Sequence, residues 1–202
     1  MRKVLPVSRT PITTYPHTAN LAAVLWNEEK IYPWLLNCFM KVYGWCVEDE
    51  DYNIDYEDFY ILDCPAILCE RINSQMMLCG WTNPLAFIHD AIDLSYYIYL
   101  VVDTSKITAY NNNRRFFHDI FIYGYDDTLK ILYALDCFKN GKYGSAQITY
   151  SEFSAAYSYG EKYYQNIFEF HDDIILIKPN REASLDFHIT RFKESIVDFL
   201  NG

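Results

Sequence analysis

His118 and Asp136 are the two residues whose types and spacing most directly suggest chemistry. They bound the stretch "HDIFIYGYDDTLKILYALD", two runs rich in Ile, Leu, Phe and Tyr split by an Asp-rich turn. Such runs around a short polar connection read as a β-hairpin. With Asp126, Asp127 and Thr128 as a three-residue loop, Tyr125 faces Leu129 and, by the same count, His118 faces Asp136. Directly opposed residues share one face of the pair, with Cβ atoms about 4.5–5.5 Å apart, close enough for a carboxylate to hold an imidazole. A two-residue loop would instead set Leu135 opposite His118 and turn Asp136 to the other face. A histidine held in this way can take a proton from a nucleophile while the carboxylate orients it. The same pair can also be a purely structural cross-strand contact.

The partner that would turn such a pair into a catalyst is a thiol at a helix N-terminus. There the macrodipole lowers the thiol pKa and backbone N–H groups can stabilise an oxyanion. The first expected helix is "TANLAAVLWNEEKI", with Thr18 as its N-cap and Leu21, Val24 and Leu25 on one face. The residue in its first turn is Ala19. Cys38 and Cys46 belong to a second apolar helix, "YPWLLNCFMKVYGW", after a break at Pro33. The pattern thus supplies a base and an orienter without a nucleophile.

The other elements must position these residues. Pro6, Pro11 and Pro16 keep residues 1–18 extended, and the acidic stretch "EDEDYNIDYED", residues 48–58, reads as a solvated loop. "CPAILCERI" reads as a short helix entered through Pro65, and "NPLAFIHDAIDL" as another, capped by Asn83 with Pro84 in its first turn. After Leu94 the texture becomes β-rich: "YYIYLVVDT", the hairpin, and "SAQITY". "SEFSAAYSY" restarts a helix behind Ser151, and "DIILIKPN" is a strand ended by Pro179. "SLDFHITRFKESIVDFL" closes the chain as an amphipathic helix with Leu185, Ile189, Phe192, Ile196 and Phe199 on one stripe. Helices first and an antiparallel sheet second argue for an α+β fold. A single domain spans 1–202, with a helical part over about 1–94 and a β-sheet part over about 95–202 that includes the last helix.

Bulk properties narrow the functions. The formal net charge is −10 and no basic run is longer than Arg114–Arg115, so phosphate backbones would be repelled and nucleic acid is not an expected partner. No apolar run reaches the length of a membrane span, and the opening "MRKVLPVSRT" lacks the apolar core of a signal peptide, which points to the cytoplasm. The six cysteines are irregularly spaced, as buried thiols in a reducing compartment would be. Cys64, Cys69, Cys79 and His89 match no common zinc spacing, and neither a metal nor a cofactor is expected. His89 reads as a structural helix residue, "GYDD" as turn chemistry, and His17 as either a site-lining or a solvated residue. The nineteen tyrosines suit an aromatic core with amphipathic edges.

In order and layout the chain resembles the papain-like cysteine peptidases, specifically the C39-like group of bacteriocin-leader peptidases and their relatives. The likeness lies in an early helix start, a strand-borne histidine in "FHDIFIYGYDD" and an aspartate ending the next strand in "YALD", and it spans roughly residues 10–180. Carried over by position, Ala19 stands where the family has its cysteine, His118 is the base and Asp136 the orienter. Thr13 occupies the place of the family's oxyanion glutamine, so that hole would draw on the backbone N–H of residue 19 and on a donor from Tyr15 or His17. Within the group, "FFHDIFIYGYDD" and "YALDCFKNGKYG" are most similar to butirosin-H-like and closthioamide-type amide-forming enzymes of antibiotic biosynthesis. The resemblance implies an acyltransferase: a thiol takes an acyl group from a peptidyl carrier protein's phosphopantetheine thioester, and a small diamine then attacks to give an amide. It also implies that this chain is either an inactive Cys-to-Ala variant or a non-catalytic, peptide-binding relative. A peptidase acting through the same triad is the alternative. Docking of an acidic carrier would use Arg114, Arg115, Lys139 and Lys142 near the hairpin.

Overall fold

A computed structural model describes residues 1–11, 13, 15–26, 32–33, 42–47, 51–56, 64–157, 173–183 and 186–201. Its centre is strand β6 (Phe117–Asp126), a long run of β-branched and aromatic residues that is buried from Ile120 onward. β5 (Tyr97–Asp103) pairs with its first half, and β1 (Arg2–Val4) continues the same edge along its second half. β7 (Ile131–Cys137) takes the opposite edge and is followed outward by β8 (Tyr143–Thr149). Beyond β5 lie β9 (Asp173–Pro179) and β4 (Ile67–Asn73), which completes a seven-stranded sheet in which every pair is antiparallel. β2 (Val42–Val47) and β3 (Asp51–Tyr56) form a separate two-stranded sheet.

Helices cover both faces, which explains why β5 and β6 read as continuous apolar runs rather than alternating ones. α1 (Pro16–Leu25) lies on one face, where Asn20 accepts a hydrogen bond from the Tyr143 hydroxyl at 2.8 Å. α3 (Pro84–Asp93) and α4 (Tyr150–Ala156) lie on the other, where the His89 ring stacks at 4.2 Å on Tyr125. α2 (Ser74–Gly80) follows β4 directly, with Asn73 as its cap, and α5 (Ile189–Asn201) ends the described chain.

The α+β expectation holds, but several elements differ. "CPAILCERI" forms β4 rather than a helix: paired over its whole length with β9, its Ile, Leu and Cys residues fill a sheet edge, and tertiary pairing overrides the Pro65 signal. Part of the acidic stretch is strand β3, and the end of the expected second helix is strand β2; residues 34–41 of that helix, Cys38 among them, lie outside the described residues. Residues before 94 thus contribute β1 and β4 to the main sheet, so helix and sheet do not divide there. α1 begins at Pro16, with Tyr15 rather than Thr18 as N-cap, because proline's fixed φ suits the first helical position. α4 is capped by Thr149, two residues before Ser151, in a reciprocal capping box with Glu152. α5 starts at Ile189, and Leu185 lies outside the described residues. Among the described residues no helix is long and apolar enough to cross a membrane.

Candidate active site

The β6–β7 turn is longer than a three-residue loop. Asp126 pairs with Ile131, leaving residues 127–130 as the connection. Asp126 Oδ1 accepts from the backbone N–H groups of Thr128 and Leu129, and Lys130 closes the turn at φ 55°. Continued without interruption, this register would bring Phe121 opposite Asp136 and leave His118 on the wrong face. A β-bulge at Tyr123 prevents that. The extra residue moves Phe121 to face Leu135, so the count sets Asp136 against Ile120, two positions from His118 and on its face. The expected face is therefore reached by two compensating departures, and the two residues are diagonal rather than direct neighbours.

The resulting contact is real. His118 Nε2 lies 3.3 Å from Asp136 Oδ1. Asp136 is only 1% exposed, and a carboxylate so buried must find donors. It accepts from the Tyr110 hydroxyl at Oδ2 and from the Cys137 backbone N–H at Oδ1, 2.6 Å away. Tyr110 comes from the 3₁₀ turn Thr108–Tyr110, which Glu152 of α4 fixes by accepting the Thr108 N–H at 3.0 Å. Burial works to lower the pKa of His118, but its bond to Asp136 and the negative charges of Asp136 and Asp119 outweigh this and raise it. Burial and the Asp136 carboxylate push the phenol of Tyr110 well up, so it stays a neutral donor. The same two causes push up the thiol of the adjacent Cys137, which makes it a poor nucleophile.

Residue 19 is not presented to this pair. Ala19 is fully buried in α1, and its backbone N–H already donates to the Tyr15 carbonyl at 2.9 Å, so it is no oxyanion donor. The sheet register places His118 and Asp136 on the α3 face and α1 on the other. Thr13 is exposed. What reaches from α1 toward His118 is His17, two residues earlier. Its Nε2 lies 3.4 Å from Asp119 Oδ2, and Asp119 Oδ1 lies 3.6 Å from His118 Nδ1. This is possible because the β6–β7 ladder stops at Phe121, leaving residues 117–120 of β6 with β5 on one side only. The only local signal for Asp119 in the sequence is its place next to His118 in "HD".

The remaining sequence candidates resolve simply. His89 is structural, its Nε2 2.9 Å from the Tyr150 hydroxyl. Arg115 lies 3.7 Å from the buried Asp103, and Arg114 and Lys142 are exposed. Comparison of the chain with protein-family models, curated proteins and solved structures returned no match.

Proposed function

We propose that this protein is an acyl-transfer domain of papain-like, cysteine-peptidase design, directed from an acyl thioester toward an amine. The observation that carries the reading is the His118–Asp136 pair: a partly exposed imidazole gripped at Nε2 by a buried carboxylate, with Nδ1 on the side of Asp119, 3.6 Å from its Oδ1. A carboxylate that orients an imidazole supports its use as a general base, with Nδ1 as the nitrogen that would take the proton. In the full reaction His118 takes the proton of the enzyme thiol, the thiolate attacks the thioester carbonyl, the carbon–sulfur bond to the pantetheine arm breaks, and the departing pantetheine thiolate takes that proton back from His118. The amine then attacks the acyl-enzyme, its proton passes to His118, and the enzyme thiol is released. Tyr110, half-buried against Asp136, would limit competing water on that side of the pair. The donor would be a carrier-borne phosphopantetheine thioester and the acceptor a small diamine, as in the biosynthesis of polyamide antibiotics. With no thiol in the first turn of α1, the chain as it stands binds such a donor without turning it over.

A second reading, a silent module that only binds a peptide or polyamide, is favoured by the burial of Ala19. To decide, a thiol is restored to α1 as Ala19→Cys and, in parallel, His17→Cys. Each is incubated with an acyl-pantetheine thioester or with a peptide, and intact mass is measured. The expected result is a mass gain from the thioester in one of the two, discharged by a diamine and absent when His118→Ala is added. Acylation from the peptide alone would identify a peptidase, and no adduct from either donor would leave the binding module.

A further inference from the structure

Asp119 Oδ2 is buried and lacks a hydrogen-bond donor, the only such side-chain atom among the described residues. His17 Nε2 lies 3.4 Å from it. The other oxygen of the same carboxylate faces His118 Nδ1 at 3.6 Å. His17 is held in place from a second direction: its ring stacks on Tyr99 at 5.7 Å, and its carbonyl accepts the Tyr99 hydroxyl at 3.4 Å. The side chain is nonetheless 52% exposed. A solvated loop histidine would have neither a ring beneath it nor a buried carboxylate oxygen at one nitrogen.

We infer that the site contains two histidines sharing Asp119, His17 from α1 and His118 from β6, and that position 17 rather than 19 is where α1 meets a bound substrate. The inference rests on the acyl-transfer reading only for the identity of that substrate. In this chain the α1 side of the site therefore offers an imidazole, able to bind an amine or carbonyl or to carry a proton, and no thiolate. Asp119 is a positioning residue, closing like a clasp between helix and strand where the β6–β7 ladder is open. The groups facing His118 are then Asp119, Asp136 and Tyr110, with His17 behind Asp119.

Two measurements test this without any turnover. In the first, His17→Cys and Ala19→Cys proteins are treated with iodoacetamide under native conditions, and the labelled peptides are identified by mass. Cys at 17 should be alkylated at least ~10-fold faster than Cys at 19, because a buried thiol is inert. In the second, the His118 ring is titrated by NMR. Asp119→Asn should lower its pKa by removing a negative charge that faces it. Equal alkylation at both positions, or a His118 titration indifferent to Asp119→Asn, would overturn the inference. Failure of acylation with the pattern intact would sink the acyl-transfer reading and leave the two-histidine site standing.

Discussion

Asp136 concentrates the energetics of the site in one residue. It is a carboxylate with almost no access to water, satisfied by an imidazole, a phenol and a backbone N–H. Removing one donor from such a group strands an acceptor, which costs roughly 1–3 kcal/mol. Tyr110→Phe should therefore destabilise the fold by about that amount. It should also raise the His118 pKa, since the carboxylate loses a competing donor and holds the imidazolium more strongly. Asp136→Asn should move the same pKa the opposite way, because the charge that outweighs desolvation is gone. NMR titration of the His118 ring in both variants checks the pair. A shift of the same sign in both would mean that Asp136 does not govern the imidazole.

At the scale of elements, β1 depends on a missing side chain. A Cβ on Gly124 would stand 2.8 Å from the Lys3 carbonyl oxygen and 2.9 Å from Val4 Cα, both backbone atoms that cannot swing aside. Gly124→Ala should displace β1 from β6 and cost about 1–3 kcal/mol in urea unfolding, while the β5–β6 half of the sheet stays intact. Unchanged stability would show that β1 adds little to the sheet. The same strand shows where the sequence was legible and where it was not. β5, β6, β8, β9 and α3 could be read because their apolar runs, Asn83 cap and Pro84 act locally. β4 could not, since its conformation is fixed by β9, about a hundred residues away in sequence. His118 and Asp136 could be found from type and spacing, yet their shared face depends on a four-residue turn and a bulge at Tyr123 that no local signal announces. A helix start at Thr18 would put residue 19 in the first turn, whereas Pro16 begins the helix, so that Ala19 is buried and His17 is the exposed residue of the first turn.

For the whole molecule these local charges set a pH window of stability. His118 has a folded pKa above its unfolded value of about 6.5. Its contribution is complete below that pH and is lost as pH rises through the folded pKa. Glu152 behaves in the opposite sense. Burial would raise its pKa, but hydrogen bonds from Thr108 and Thr149 dominate and bring it down to about 2. Its stabilisation is complete above an unfolded pKa of about 4.3 and disappears as pH falls toward 2. Far on the alkaline side, burial pushes Tyr97 and Tyr125 up to about 12, so ionisation of the unfolded chain above pH ~10 draws the equilibrium away from the fold. Self-repulsion adds to the slope, because the formal charge of −10 at pH 7 shrinks toward the pI near 4.9. Urea unfolding between pH 3 and 11 should therefore show greatest stability between pH ~4.5 and ~6.5, on the acid side of neutrality. Glu152→Gln should flatten the acid limb and His118→Gln the neutral one. A maximum above pH ~7.5, or limbs that neither variant alters, would mean that these two residues do not set the window.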